Sequence, residues 1–373
     1  MTENKYLKVL YHGREVGTLA LTPDRKAAFE YSDIWMEEGF SINPFSLPLE
    51  KRVFVPSKSY FQGLYGVFAD SLPDAWGNLL VNRMLRKRGI LLDEISVLDR
   101  LAIVGSSGMG ALTYEPVMME VQQEGSSSLD ELAAQCKEIL TTEYDDNLDE
   151  LYRLGGTSGG ARPKILTVID GEDWIIKFPA HVDGENAGIM EYEYSLCAKK
   201  CGIEMAETRL FESRLCDGYF GTRRFDRVES AIHMCTAAAL LELDFTQPSL
   251  DYHSLMKLTK IITEDNPEDV ENMYRRMCFN VFAHNRDDHS KNFTYLYHEN
   301  AGTWRLSPAY DLTYSNTYYG EHTTTVDENG LEPGIKELVN VGVKAGMSRG
   351  TCRETAKEIQ ECVNQMLGRY VRR

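Results

Sequence analysis

The sequence has no long apolar run: its most apolar stretch, residues 235–241, is far too short to span a bilayer. Residues 1–6 contain no apolar signal core either. Both absences predict a cytoplasmic protein with no membrane partner. Basic residues are outnumbered, 40 against 57 acidic ones, leaving a formal net charge of −17. Such a surface repels nucleic-acid backbones and anionic lipid. The one basic run, Arg83 to Arg88, reads as a solvated helix end.

A C-x-x-C pair is also missing, and the eight cysteines are scattered through the chain. Cys197 and Cys201, four apart on a predicted helix, fit two buried thiols; without nearby histidines, core packing is the favoured reading over metal. His284 and His289 lie five apart with no third ligand in a zinc-like pattern. These features predict a reducing compartment. With 43% hydrophobic residues and only 12 prolines, the 373-residue chain can bury an ordered core in one large or two modest domains.

What is present begins with two strand-like runs, residues 6–11 and 15–21, around His12-Gly13-Arg14, which predict an opening hairpin. Leu72, Trp76 and Leu79–Leu80 are helix-spaced, so a helix should follow Ser71-Leu72-Pro73-Asp74, with the proline in its first turn. A turn-rich loop, residues 105–110, precedes a strand-like 111–114. The polar Gln122–Ser128 stretch reads as the main linker, with an amphipathic helix over 129–140.

A glycine loop, residues 155–160, leads into strands at 164–169 and 173–178 with Gly171 in the turn. A helix over 188–200 is ended by Gly202, and strands follow near 209–212 and 219–225. Beyond Pro248 the pattern is mostly helical. Val270, Tyr274, Met277 and Val281 mark one buried face of a helix over 267–284. A hairpin at 293–297 and 303–306 and a closing helix over 349–370 complete the reading. The predicted architecture is α+β with two lobes, strand-rich first and mainly helical second. Three parts are expected: 1–120, 121–230 and 231–373.

The segment with the clearest chemistry is Asn285-Arg286-Asp287-Asp288-His289-Ser290-Lys291-Asn292-Phe293. Asp287 and Asn292 have the spacing of the aspartate and asparagine in a protein-kinase catalytic loop. Phosphoryl transfer needs one group to orient the attacking hydroxyl and oxygen ligands to hold Mg²⁺ against the phosphates. Asp287 suits the first task and Asn292 the second, and Lys291 brings positive charge to the transferring group. Asp311, in Ser307-Pro308-Ala309-Tyr310-Asp311, is placed as a second oxygen ligand for Mg²⁺. Lys177 is a lone cation in an apolar strand; it would reach nucleotide phosphates and pair with Glu191. The glycine loop is neither a Walker A motif nor G-x-G-x-x-G, yet its backbone N–H groups can cradle phosphate, with Lys164 assisting.

With these residues in place, the chain resembles the HipA family of bacterial toxin-like kinases over nearly its whole length. Ser71 to Gly77 and Gly108 to Leu112 resemble the family's N-terminal subdomain. Thr157 to Lys164, Ile176 to Pro179, Arg224 to Arg227, Asp287 to Phe293 and Ser307 to Asp311 resemble its kinase core in the same order. The resemblance implies an ATP- and Mg²⁺-dependent Ser/Thr protein kinase that restrains growth by phosphorylating a translation component such as a tRNA synthetase. A small-molecule kinase and a nucleotide-binding pseudokinase are the alternatives. It also implies that Gly159, Gly160, Ala161, Arg162, Pro163 and Lys164 cover the phosphates and that Lys177 contacts them. Arg223, Arg224 and Phe225 would form the adenine segment. Asp287 would be catalytic, and His289, Ser290, Lys291, Asn292, Tyr310 and Asp311 would complete the ATP and Mg²⁺ site. Autophosphorylation in the loop would fall on Thr157 or Ser158. The implied partner is a HipB-like helix-turn-helix antitoxin, through which alone the chain would meet operator DNA.

Overall fold

The computed structural model describes residues 4–118, 127–141, 148–156, 160–180, 183–244, 246–317 and 320–371. Its opening hairpin pairs β1 (Tyr6–Tyr11) with β2 (Arg14–Leu21). His12 and Gly13 both take positive φ, the geometry that matches a tight turn to strand twist. β3 (Ala27–Tyr31) and β4 (Leu112–Glu115) complete an antiparallel sheet in the order β3-β2-β1-β4. Leu7, Val9 and Tyr11 alternate into the core, as a one-sided strand requires.

The described chain divides into two compact units. The first comprises Met1–Glu185, Phe211–Cys235 and Ala239–Glu242; the second comprises Asn186–Leu210, Thr236–Ala238 and Leu243–Arg373. Besides the first sheet, unit one holds α1 (Asp33–Glu38), α2 (Gly66–Ala69), α3 (Ala75–Lys87), α4 (Val97–Val104), α5 (Leu129–Thr141) and α6 (Leu148–Gly155). β5 (Lys164–Ile169) and β6 (Glu172–Lys177) form an antiparallel hairpin. β7 (Thr208–Phe211) falls across the division of the chain, and β8 (Tyr219–Arg223) pairs with β6. One face of this hairpin sends Ile165, Trp174 and Ile176 into a core with Trp76, Leu80 and Met84 of α3, Leu132 of α5 and Leu151 of α6.

Helix α3 follows Asp74 as expected, but Pro73 lies before the cap rather than in the first turn. Gly155 and its neighbours also differ from the simple loop reading, since α6 runs through Gly155. A Cβ at Gly155 would lie 2.6 Å from the Lys164 carbonyl oxygen and 2.9 Å from the Trp76 indole nitrogen. This glycine permits close packing rather than loop freedom.

Unit two begins with α7 (Ala187–Lys200). β9 (His233–Thr236) and α8 (Ala237–Leu241) have residues in both units. Then come β10 (Leu250–Asp251), α9 (Tyr252–Ile262), α10 (Pro267–Phe282), β11 (Thr294–His298), β12 (Thr303–Leu306) and β13 (Thr324–Thr325). The chain closes with α11 (Ile335–Lys344), α12 (Arg349–Met366) and α13 (Gly368–Val371). Asn266 caps α10 by accepting the Glu268 and Asp269 N–H groups, and Pro267 takes the first position, where no N–H is needed. Val270, Tyr274, Met277 and Val281 are all buried, as their spacing predicted. The fold is α+β with antiparallel hairpins and helices. No helix among the described residues is long and apolar enough to cross a membrane.

Candidate functional site

In unit one, Lys164 and Lys177 are directly opposite one another across the β5–β6 hairpin. Opposed residues of an antiparallel pair share a face, so two cations stand on the face turned away from the apolar core. Phe220 is the next partner across β8, and the Lys177 ammonium lies 5.6 Å from its ring centroid. Two fixed positive charges on one face suit an anionic ligand.

The glycine loop ends against α3. The Gly160 N–H donates to the Asp74 carboxylate at 2.9 Å, and the Trp76 N–H donates to the Gly160 carbonyl at 3.3 Å. The Trp76 indole N–H donates to the Lys164 carbonyl at 3.0 Å. Gly160 has φ +81°, and a Cβ there would lie 2.5 Å from the Lys164 ammonium nitrogen. The positive φ is the demand that favours glycine, since the flexible Lys164 end could move aside. Arg162 makes a 2.8 Å ion pair with Asp183, Ala161 is exposed, and Pro163 is buried and accepts the Phe178 N–H. Thr157, Ser158 and Gly159 lie outside the described residues.

In the segment 223–225, the Arg223 guanidinium pairs with Glu172. Arg224 is buried, bonded to Asp226 at 2.9 and 2.7 Å. Asp226 also accepts the Gly110 N–H at 2.8 Å, and Arg227 donates to the Gly108 and Gly110 carbonyls at 3.0 and 2.6 Å. Burial alone would raise the Asp226 carboxyl, but Arg224 and Arg227 hold it below its ordinary value. These side chains thus lock the segment to the loop before β4. Phe225 follows with its side chain partly exposed.

In unit two, the acidic doublet after α10 divides sharply. The Asp287 side chain is 61% exposed, with the His289 imidazole 3.9 Å away. Asp288 is fully buried: it accepts the Tyr252 hydroxyl at 2.9 Å and the Thr324 N–H at 3.1 Å, and His322 Nδ1 lies 3.0 Å from it. Asn280 donates to the Tyr252 oxygen and accepts from Asn285, so a buried polar network underlies the loop. This geometry holds Asp288 in place, while the Asp287 side chain stays largely exposed.

Ser290–Asn292 form a single 3₁₀ turn, whose entry is capped by His289 accepting the Lys291 N–H at 3.2 Å. The Asn292 amide donates to the Asp287 carbonyl at 2.7 Å. Its oxygen is therefore the end left to meet a cation. Tyr310 joins this loop to the strand-following segment: its hydroxyl donates to the Lys291 carbonyl at 2.5 Å and lies 2.6 Å from the Thr294 hydroxyl. Asp311 comes next, with φ +52°, a left-handed conformation that aspartate tolerates better than most residues. Beneath, the buried Arg276 donates to the Asn272 side chain at 2.9 Å and to the Ser307 carbonyl, and burial pushes its guanidinium down to about 10. Glu191 sits in the first half of α7, in unit two.

Asp74, Trp76, Tyr252, Asn280 and His322 were not singled out by sequence reasoning as site residues. Apart from the Asn280–Asn285 bond, their partners lie tens of residues away, so no local spacing marks them.

The comparisons with known proteins bear on the family and the fold. Residues 156–367 match the model of the HipA-like C-terminal domain, and residues 7–115 match that of the HipA N-terminal domain. The chain belongs to the HipA family. Its fold is similar to that of HipA from Shewanella oneidensis MR-1, solved with HipB and operator DNA. The TM-score is 0.72 at 16% identity, covering 97% of this chain and 90% of that one. Y4mE of Sinorhizobium fredii, whose kinase designation is provisional, is 25% identical over 350 residues, 84% of this chain and 78% of its own length. Y4dM of the same organism, provisionally designated likewise, is 27% identical over 173 residues, 42% of this chain. That match spans only 41% of the length of Y4dM.

Proposed function

We propose that this HipA-family chain is an ATP- and Mg²⁺-dependent Ser/Thr protein kinase, the toxin of a toxin–antitoxin pair. The observation that carries the reading is the Tyr310 hydroxyl on the Lys291 carbonyl at 2.5 Å. It ties the Tyr310–Asp311 segment to the Asp287–Asn292 loop, which supports reading the two carboxylates and the amide as parts of one site within unit two. The donor set fits a hard cation: Asp311 and the Asn292 oxygen are the ligand type Mg²⁺ takes. When bound, Mg²⁺ would neutralise charge on the phosphates.

Each protein group then has a task. Asp287 orients the attacking hydroxyl and receives its proton. Lys291 supplies positive charge beside the transferred group. In unit one, Lys164 and Lys177 bind phosphate oxygens, with backbone N–H groups of residues 159–163 around them. Arg223, Arg224 and Phe225 would form the adenine-binding segment, with the two guanidinium groups engaged by Glu172 and Asp226. The reading also assigns His289, Ser290 and Tyr310 to the nucleotide site, and residues 1–120, 121–230 and 231–373 to an N-terminal subdomain, an ATP-holding part and a catalytic part.

A HipB-like antitoxin is the proposed partner, by analogy with the Shewanella complex. The net charge of −17 supports the division of labour, with a basic partner making the DNA contacts. The phosphorylated protein would be a translation component.

Incubation with Mg-ATP followed by intact-mass spectrometry tests the reading. An added phosphate mapped to Thr157 or Ser158, absent in Asp287→Asn, is the expected result. Labelled phosphate appearing on metabolites alone would favour a small-molecule kinase, and nucleotide binding without any transfer a pseudokinase. Either outcome overturns the protein-kinase reading.

A further inference from the structure

Unit two contains a second cluster that phosphoryl transfer does not use. Cys197, Cys201 and Cys362 bring their three sulfurs within 4.8 Å of one another. Cys197 lies on α7 and Cys201 caps its C-terminal end, four residues on, which places both on one helical face. Cys362 comes from α12, and Met366, four residues further, has its thioether sulfur 4.0 Å from the Cys362 sulfur. Two sulfur pairs, each spaced by one helical turn, therefore face each other across the α7–α12 contact.

Two features separate this arrangement from ordinary thiol packing. Sulfurs bound at about 2.3 Å to one tetrahedral ion stand roughly 3.8 Å apart, so this trio needs to close by no more than about 1 Å. Side-chain rotation suffices for that. Cys201 and Cys362 also line a cavity of about 440 Å³, together with Lys200, Arg275, Glu271 and Glu358. An ion thus has a route in and room for a non-protein ligand. Charges of both signs line the cavity, Lys200 and Arg275 beside Glu268, Glu271 and Glu358. Arg275 is fixed there by its 3.1 Å bond to the Cys201 carbonyl and its 2.8 Å pair with Glu271.

We propose that Cys197, Cys201 and Cys362 form a three-thiolate site for a thiophilic d¹⁰ cation, zinc(II) or copper(I), whose remaining coordination position faces the cavity. Thiolate and thioether donors select these ions over the hard cations that carboxylates hold. Binding releases the thiol protons, one from each sulfur that ligates, and involves no change of oxidation state. The site is independent of the nucleotide chemistry proposed above.

Full-length protein, reduced and demetallated under nitrogen, is titrated with Zn²⁺, and separately with Cu⁺, against a competing chelator for each ion. One equivalent of at least one ion binds. Co²⁺ substitution gives a thiolate-to-metal charge-transfer band. Cys362→Ser weakens binding by more than the roughly 10- to 100-fold typical of losing an outer-shell partner, whereas Cys216→Ser, outside the cluster, leaves it unchanged. Circular dichroism confirms that both variants fold. A readout on the wild type alone is alkylation followed by peptide mass spectrometry: the ion shields cysteines 197, 201 and 362 together. Binding that survives Cys362→Ser, absence of shielding with either ion, or a disulfide within the trio in the reduced protein overturns the proposal.

Discussion

Asp74 accepts the Gly160 N–H at 2.9 Å across 86 residues of sequence. Aspartate at the start of a helix ordinarily caps it, yet here no side-chain cap bond to α3 is made. The carboxylate has been diverted from its own helix to hold the end of the glycine loop. On the kinase reading, Asp74→Ala frees that end and weakens ATP binding by about 10-fold, the scale of one charge-assisted hydrogen bond. Asp74→Asn keeps an acceptor oxygen and stays within about 3-fold of wild type, on the same hydrogen-bond scale. Calorimetric titration with Mg-ATP distinguishes the two; equal affinities in Ala and wild type would remove Asp74 from this role.

The doublet Asp287-Asp288 predicts opposite phenotypes for adjacent residues. Asp287→Asn should lower turnover by about 10² to 10⁴ and leave the melting temperature near that of wild type. Asp288→Ala strands the Tyr252 hydroxyl, the Thr324 N–H and His322, and should cost about 3 kcal/mol or more of stability. Thermal melts alongside a phosphate-transfer assay read both. A folded, fully stable Asp288→Ala would contradict the assignment.

Tyr310→Phe removes the hydroxyl that joins Lys291 to the Asp311 segment while keeping the ring. Turnover should fall by about 10-fold, as expected when catalytic groups lose part of their mutual placement. The apparent affinity for Mg²⁺ should fall with it. A loss of melting temperature with unchanged Mg²⁺ dependence would make Tyr310 a packing residue only.

Glu242 gives a pH signature unrelated to catalysis. Burial pushes its carboxyl up to about 7, although both carboxylate oxygens accept the Gly66 N–H, at 3.1 and 3.2 Å. The folded state therefore holds a proton that the unfolded chain releases near pH 4.5. The stabilising contribution is complete below that pH and is lost as the pH rises through about 7. Denaturant titrations at pH 5 and 8 should differ by about 2 kcal/mol more in wild type than in Glu242→Gln, allowing for the partial exposure of the group. Identical pH dependence in both proteins would rule this out.

Much of this was legible in the sequence because periodicity and turn chemistry act locally. The opening hairpin, the β5–β6 strands, α7 and the buried face of α10 follow from residues a few positions apart. The HipA-family resemblance rested on ordered short motifs and is shown by the family matches over 7–115 and 156–367. Three relationships were not legible. Asp74 with Gly160, Tyr310 with Lys291, and Cys362 with the Cys197–Cys201 pair are each made by tertiary packing between distant segments. Nor does spacing tell which of two consecutive aspartates is buried. That depends on Tyr252, His322 and Thr324 arriving from elsewhere.

The diverted carboxylate bears on how the protein can be cut. A fragment starting at residue 127 would keep every side chain assigned to phosphate and magnesium. It would nonetheless lose the aspartate anchoring Gly160 and the indole holding the Lys164 carbonyl. Excised in that way, the sequence proposed to be catalytic would lack the brace that shapes it, and on that proposal the first 120 residues count as part of the working parts rather than as an appendage.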